Sequence, residues 1–146
     1  MLYTMLTKKA LRISFDAHKD QVDKTGIPYV YHPFCVAEKL HTEYEVCTAL
    51  LHDVVEDTGI TLDDLRAAGF PEDVTDALAL LTHDDSVSYT DYVKARKQNP
   101  IARAVKLADL EHNSDVSRLD AIDDRIRARL DKYAAAREYL LNPDAE

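Results

Sequence analysis

Glycine is scarce in this chain of 146 residues, and tryptophan is absent; three glycines and five prolines are the only strong breakers of regular structure. They fall near element boundaries rather than inside periodic segments. No stretch alternates polar and apolar residues over a strand length in a β-branched background, which argues against a sheet. Internal repeats, low-complexity tracts and linkers are also missing. The two cysteines, Cys35 and Cys47, form no CxxC pair. That speaks against a disulfide framework or a thiolate zinc site and leaves both as small buried hydrophobes. No apolar run approaches the roughly 20 residues that span a bilayer. The opening MLYTMLTKKALRIS meets lysines early and lacks the apolar core and cleavage site of a signal peptide, so a cytoplasmic protein without membrane partners is expected. Cations are short as well: 18 Lys and Arg face 27 Asp and Glu, a net charge of −9. A general nucleic-acid binder needs a basic stripe and is excluded. A small phosphorylated substrate is not, because a metal and a few local cations can hold one against an acidic background.

What is present is a globular composition, 46% hydrophobic and 31% charged, in a length that suits one domain with a real core. The pattern predicts an all-α bundle of seven or eight helices. The first spans about 3–24, with Leu11, Phe15, His18 and Val22 as its core stripe. After the loop TGIPYVYHP, a second opens at Pro33 and ends near Thr42. The third spans about 44–57 and stops at Thr58-Gly59. Thr61 caps a short fourth helix that Gly69 ends, and Pro71 begins a fifth that reaches Thr82. HDDSVS reads as a loop and 89–98 as a sixth helix. Asn99-Pro100 caps and opens a seventh, which runs to about Asp115. The last, about 121–141, carries Arg, Asp and Lys residues that suggest an exposed outer face.

The third helix holds the most informative stretch, ALLHDVVEDT. At helical spacing His52, Asp53, Glu56 and Asp57 share one arc, while Leu50, Leu51, Val54 and Val55 cover the other side. Three anionic groups and an imidazole on one arc repel one another, and a bound cation is the simplest relief. The alternative is a solvated acidic face, which usually carries Lys or Arg at i,i+4; none is present here. On the seventh helix Lys106, Asp109 and Asn113 fall within a narrow arc among Val105, Leu107, Ala108 and Leu110. An aspartate between Ala108 and Leu110 needs a partner or a ligand role. Joined to His32 in YHP, these make a set of two imidazoles and two carboxylates. That set suits a borderline first-row divalent ion better than calcium or structural zinc. The remaining histidines have plainer readings: His18 as a satisfied core residue, His112 as structural because it falls on a different arc from Asp109, and His41 and His83 as exposed helix ends. Tyr29 and Tyr31 pack by default, though either could line a pocket.

The stretches AHKDQVDKTGIPYVYHPFCVA, ALLHDVVEDTGITLDDL and VKLADLEHNSD, in that order, resemble the HD-domain metal-dependent phosphohydrolases. Within them the likeness is to the hydrolase domain of RelA/SpoT-type proteins and the small stand-alone alarmone hydrolases. The resemblance runs from the first helix to about Asp115. It implies a single HD domain over 1–146 with no synthetase domain, and one divalent metal, typically manganese, held by His32, His52, Asp53 and Asp109. It implies a catalytic acidic pair at Glu56 and Asp57, with Asn113 near the nucleotide. Lys24 and Lys106 are candidates for the outlying phosphates. The implied reaction removes pyrophosphate from the 3′ position of (p)ppGpp; hydrolysis of another small nucleotide and non-catalytic nucleotide sensing are the alternatives. Two positions depart from the family pattern: Asp23 stands where an arginine is common, and Val116 where a small polar residue is expected.

Overall fold

The computed structural model describes residues 1–82, 86–117 and 119–142. Among these residues eight helices follow in order: α1 (Met5–His18), α2 (Tyr31–Glu38), α3 (Glu43–Asp57), α4 (Leu62–Ala67), α5 (Glu72–Leu81), α6 (Tyr89–Arg96), α7 (Pro100–Asn113) and α8 (Asp124–Leu141). An isolated bridge between Val22 and Pro28 is the β pairing seen in that part of the chain. Among the described residues no helix is long and apolar enough to cross a membrane. The expected loop at 83–88, and His83 with it, lies partly outside the described residues.

α3 is the axis of the bundle. It packs against α1, α2, α5 and α7, and every residue from Val46 to Val54 is buried. Its start is set by Thr42, whose hydroxyl accepts from the Glu45 amide at 3.3 Å, with Glu43 and Glu45 favourable in the first turn. At its other end the Thr58 hydroxyl donates back to the Val54 carbonyl at 2.5 Å, which closes the last turn. The expected arc of four ionisable groups therefore runs outward from the core. His52 and Asp53 are buried, whereas Glu56 and Asp57 emerge at the exposed end.

Local capping fixes the rest. Thr61 and Asp64 form a reciprocal capping box on α4, the Asn99 side chain accepts from the Ala102 amide at 3.0 Å, and Pro100 occupies the first turn of α7. Asp123 caps α8, which starts three residues later than the sequence pattern suggests. The largest difference is at α1, which ends at His18 and not near Lys24. Its buried face is Thr7, Ala10, Ser14 and His18, while Phe15 and Val22 are 57% and 65% exposed. Small side chains on that face allow α1 to lie close against α3. The chain leaves the helix because the His18 ring bonds Gln21 at 2.8 Å and Gly26 adopts φ +87°. A helix continued to Lys24 would carry the chain away from α3, whereas the turn sends Tyr29 and His32 back to it. α2 begins at Tyr31, so His32 sits in its first turn.

Candidate active site

Three helices converge on one point. α2 brings His32, α3 brings His52 and Asp53, and α7 brings Asp109. His32 Nε2 lies 2.9 Å from Asp109 Oδ1 and 3.7 Å from Asp53 Oδ2. His52 Nε2 lies 3.2 Å from Asp53 Oδ2 and 3.5 Å from Asp109 Oδ1. The donor atoms of His32, His52 and Asp109 all fall within 4.8 Å of one another. Each ligand atom has a support behind it. His52 Nδ1 is 2.5 Å from the Ala49 carbonyl, which can only accept, so the ring proton resides there. Nε2 is then left as a lone-pair donor, buried and without a hydrogen-bond partner. Tyr29 donates its hydroxyl to Asp53 Oδ2 at 2.8 Å. Lys106 donates to Asp109 Oδ2 at 3.0 Å and Asn113 donates to Oδ1 at 3.2 Å. An unpartnered imidazole nitrogen aimed at two carboxylates in a buried N/O donor set fits a divalent cation.

The electrostatics are tightly coupled. Burial opposes ionisation of Asp109, but Lys106 and the two imidazoles hold its carboxyl well below the usual carboxylate range. Burial also disfavours a charged His52, yet Asp53 and Asp109 outweigh it and raise its pKa to about 9. Near neutral pH the metal-free ring therefore also carries a proton on Nε2, and that nitrogen offers its lone pair once a cation displaces the proton. Partial burial, then Asp53, push the Asp57 carboxyl up. Burial and Asp53 push the Tyr29 phenol far up, so it remains a donor to Asp53 across the physiological range.

The cluster forms the floor of a cleft of about 830 Å³. His32, Asp53, Asp109, Asn113 and Lys24 line it. His52 and Lys106 sit behind that wall. Lys106 is paired with Asp109 and has the rings of Tyr92 and Tyr89 at 5.3 and 5.9 Å, and it does not line the cleft. Glu56 and Asp57 stand at the end of α3, outside the cleft lining. Asp57 is on the side of Tyr29 and Asp53, and Glu56 faces the field of Tyr92 and Arg96.

Several participants escape a sequence reading. The charged residues of α8 are exposed as expected, and two of them, Arg125 and Arg129, line the cleft, with Tyr133 one further turn along. Their i, i+4, i+8 spacing on one arc is the available signal. His112, read as structural, lies with its Nδ1 2.7 Å from His32 Nδ1; its arc does differ from that of Asp109, but α2 supplies the partner. Tyr29, assigned to packing, holds Asp53. His18 is a buried core residue as expected, bonded to Gln21 and 5.0 Å from the Tyr29 ring. Asp23 lines the cleft with one carboxylate oxygen occupied by its own loop: Oδ1 accepts from the Thr25 amide at 2.8 Å, the Thr25 hydroxyl at 2.6 Å and the Ile27 amide at 3.0 Å. An aspartate here fixes the turn that delivers His32, a task for an acceptor that an arginine side chain, which only donates, cannot perform.

No protein-family model matches the chain. Individual relatives do. The bifunctional (p)ppGpp synthase/hydrolase SpoT of Escherichia coli K12 is 31% identical over 121 residues, 73% of this chain. The guanosine-3′,5′-bis(diphosphate) 3′-pyrophosphohydrolase of Haemophilus influenzae is 34% identical over 116 residues, 69% of this chain. The match spans 17% of the length of each of these two relatives. Among solved structures, a metazoan ortholog of SpoT described as hydrolysing ppGpp superposes with a TM-score of 0.75 at 24% identity, over 99% of this chain and 90% of that one. That likeness carries the helical fold.

Proposed function

This chain belongs to the RelA/SpoT-type HD-domain hydrolase family, and from that premise we propose that it is a metal-dependent (p)ppGpp 3′-pyrophosphohydrolase. The observation that carries the reading is the buried N/O cluster in a cleft that Arg125 and Arg129 also line. A donor cluster and two cations in one cleft suit a substrate with phosphoryl groups at two places, one over the cluster and one against α8.

His32, His52, Asp53 and Asp109 would hold one divalent ion, with manganese the ion typical of the family and compatible with mixed N/O donors. Such an ion supplies an activated water near neutral pH and polarises a phosphoryl oxygen. The chain's own residues do the remaining work. Tyr29, Lys106 and Asn113 fix the two carboxylates, so little reorganisation is needed when substrate arrives. Glu56, one turn beyond His52, orients the attacking water or takes its proton. Asp57 would serve the leaving oxygen or tune Glu56 by like-charge proximity; burial, then Asp53, shift its carboxyl upward. Arg125, Arg129 and Lys24 neutralise the outlying phosphates, and Asn113 reaches the nucleotide beside the cluster.

The test is turnover of a nucleotide panel by manganese-loaded protein. Release of pyrophosphate from ppGpp, abolished by chelator, is the expected result. Cleavage of an ordinary nucleotide with ppGpp untouched would reassign the substrate. No cleavage of any panel member would leave a binding role.

A further inference from the structure

We propose that His112 is a positioning residue that fixes the proton of His32 and so presents His32 Nε2 as a metal ligand. The proposal rests on the reading that His32 is a ligand. The two rings approach at 2.7 Å between their Nδ1 atoms, with centroids 4.9 Å apart and planes 31° from parallel. His112 is 7% exposed and sits on the last turn of α7, three residues beyond Asp109. Two imidazole nitrogens at this distance share one hydrogen, because a proton on each would place two donors face to face. The other nitrogen of His32, Nε2, points at Asp109 and Asp53. For Nε2 to offer a lone pair, the proton of His32 must sit on Nδ1, and His112 Nδ1 must accept it. His112 is then neutral with its own proton on Nε2. The Ala49 carbonyl performs the same service for His52. The two imidazoles of the cluster are thus set by different devices, one a backbone carbonyl within α3, the other a side chain reaching from α7 to α2. The second device ties the ligand geometry of α2 to the helix that carries Asp109, so both move as one unit.

His112→Phe keeps a ring and removes the acceptor; His112→Asn places an amide oxygen near the position of Nδ1 and keeps it. Manganese affinity is measured by calorimetry on folded protein, with far-UV circular dichroism and melting as controls. His112→Phe is expected to weaken metal binding about 10- to 100-fold, and His112→Asn to recover most of the loss. Histidine ¹⁵N spectra of the wild-type protein loaded with diamagnetic zinc supply a readout that needs no variant. His32 should show a protonated Nδ1 and His112 an unprotonated one. The proposal is overturned if His112→Phe binds metal as wild type does, if His112→Asn is as weak as His112→Phe, or if the spectra show the reverse tautomers. Wild-type protein that binds no metal would instead sink the ligand reading on which the proposal stands.

Discussion

Replacing Lys106 by methionine separates two roles that the sequence alone leaves indistinguishable. The side chain is 9% exposed, and its ammonium meets Asp109 Oδ2 at 3.0 Å. Burial disfavours the ammonium, but Asp109 more than compensates and its pKa is raised. Methionine preserves the apolar stem against Tyr89 and Tyr92 and deletes the charge. Asp109 is then a buried carboxylate with the two imidazoles and Asn113 as its remaining partners. Breaking one half of a buried ion pair costs about 3–5 kcal/mol, and in a chain of this size each kcal/mol moves Tm by about 2–4 °C. The metal-free variant should therefore melt roughly 10 °C below the metal-free wild type. A divalent ion on Asp109 restores positive charge at the same carboxylate, so the gap should narrow in saturating manganese. Thermal melts of both proteins, in chelator and in manganese, read this directly. If Lys106 instead reached the substrate's outer phosphates, stability would be unchanged in chelator and KM alone would rise. That outcome, or an equal loss with and without metal, refutes the ion-pair account.

Three further outcomes follow from the same geometry. His52→Ala should lose metal and turnover together, whereas Glu56→Ala should keep the metal and lose turnover by about 10²–10⁴-fold; metal loss in Glu56→Ala, measured by metal analysis of purified protein, would make Glu56 a ligand. Arg129→Gln should raise KM for a bis-phosphorylated nucleotide roughly 10- to 100-fold, the worth of a charge-assisted hydrogen bond, and leave manganese affinity unchanged; an unaltered KM would remove α8 from the substrate site. Metal-free protein should lose stability as pH rises from 6.5 through about 9, because the folded state raises the pKa of His52 and its stabilisation is complete only below the unfolded value. The fall is worth up to about 3 kcal/mol, and a flat melting profile across that window would contradict the His52 pairing with Asp53 and Asp109.

The helical architecture was legible because capping residues and breakers are local signals. Thr61, Asn99-Pro100 and Gly69 mark their boundaries within a residue or two, and the structure uses each as read. Thr42, read as the end of the second helix, instead caps the third, and α2 ends earlier, at Glu38. α1 defeated the pattern because its packing face is made of Thr7, Ala10, Ser14 and His18. A hydrophobic stripe marks a helix that buries bulk, whereas close approach to α3 calls for small residues. At the cluster, the types His, Asp and Lys at helical spacing were informative, and the structure brings His32, His52, Asp53 and Asp109 together. The supports were not legible, since Tyr29 to Asp53 and His112 to His32 join positions 24 and 80 residues apart. α8 shows its charges to solvent as read, but its part in the cleft was not legible for a related reason. Charge on a helix indicates solvent, but a water-filled cleft is solvent too, and only the fold shows which water Arg125 and Arg129 face.

The distribution of charge accounts for how a chain of net charge −9 can hold a polyanion. The cleft itself is mixed: Asp115 and Asp120 line it together with Arg125 and Arg129, and so do Asp53 and Asp109 of the cluster. Without a cation on the floor, a phosphate placed there meets two carboxylates, and the arginines of α8 are too few to reverse the sign. With a divalent ion bound, the floor becomes attractive at the place where a scissile phosphoryl group would lie, and the arginines hold what remains. Metal and nucleotide are then coupled, and linkage makes the coupling reciprocal: each raises affinity for the other by the same factor. Calorimetric titration with a non-hydrolysable bis-phosphorylated nucleotide measures that factor from both directions. Binding in chelator as tight as in manganese would mean that the nucleotide is held away from the floor, and the cleft would then serve recognition without placing phosphorus over His32, His52, Asp53 and Asp109.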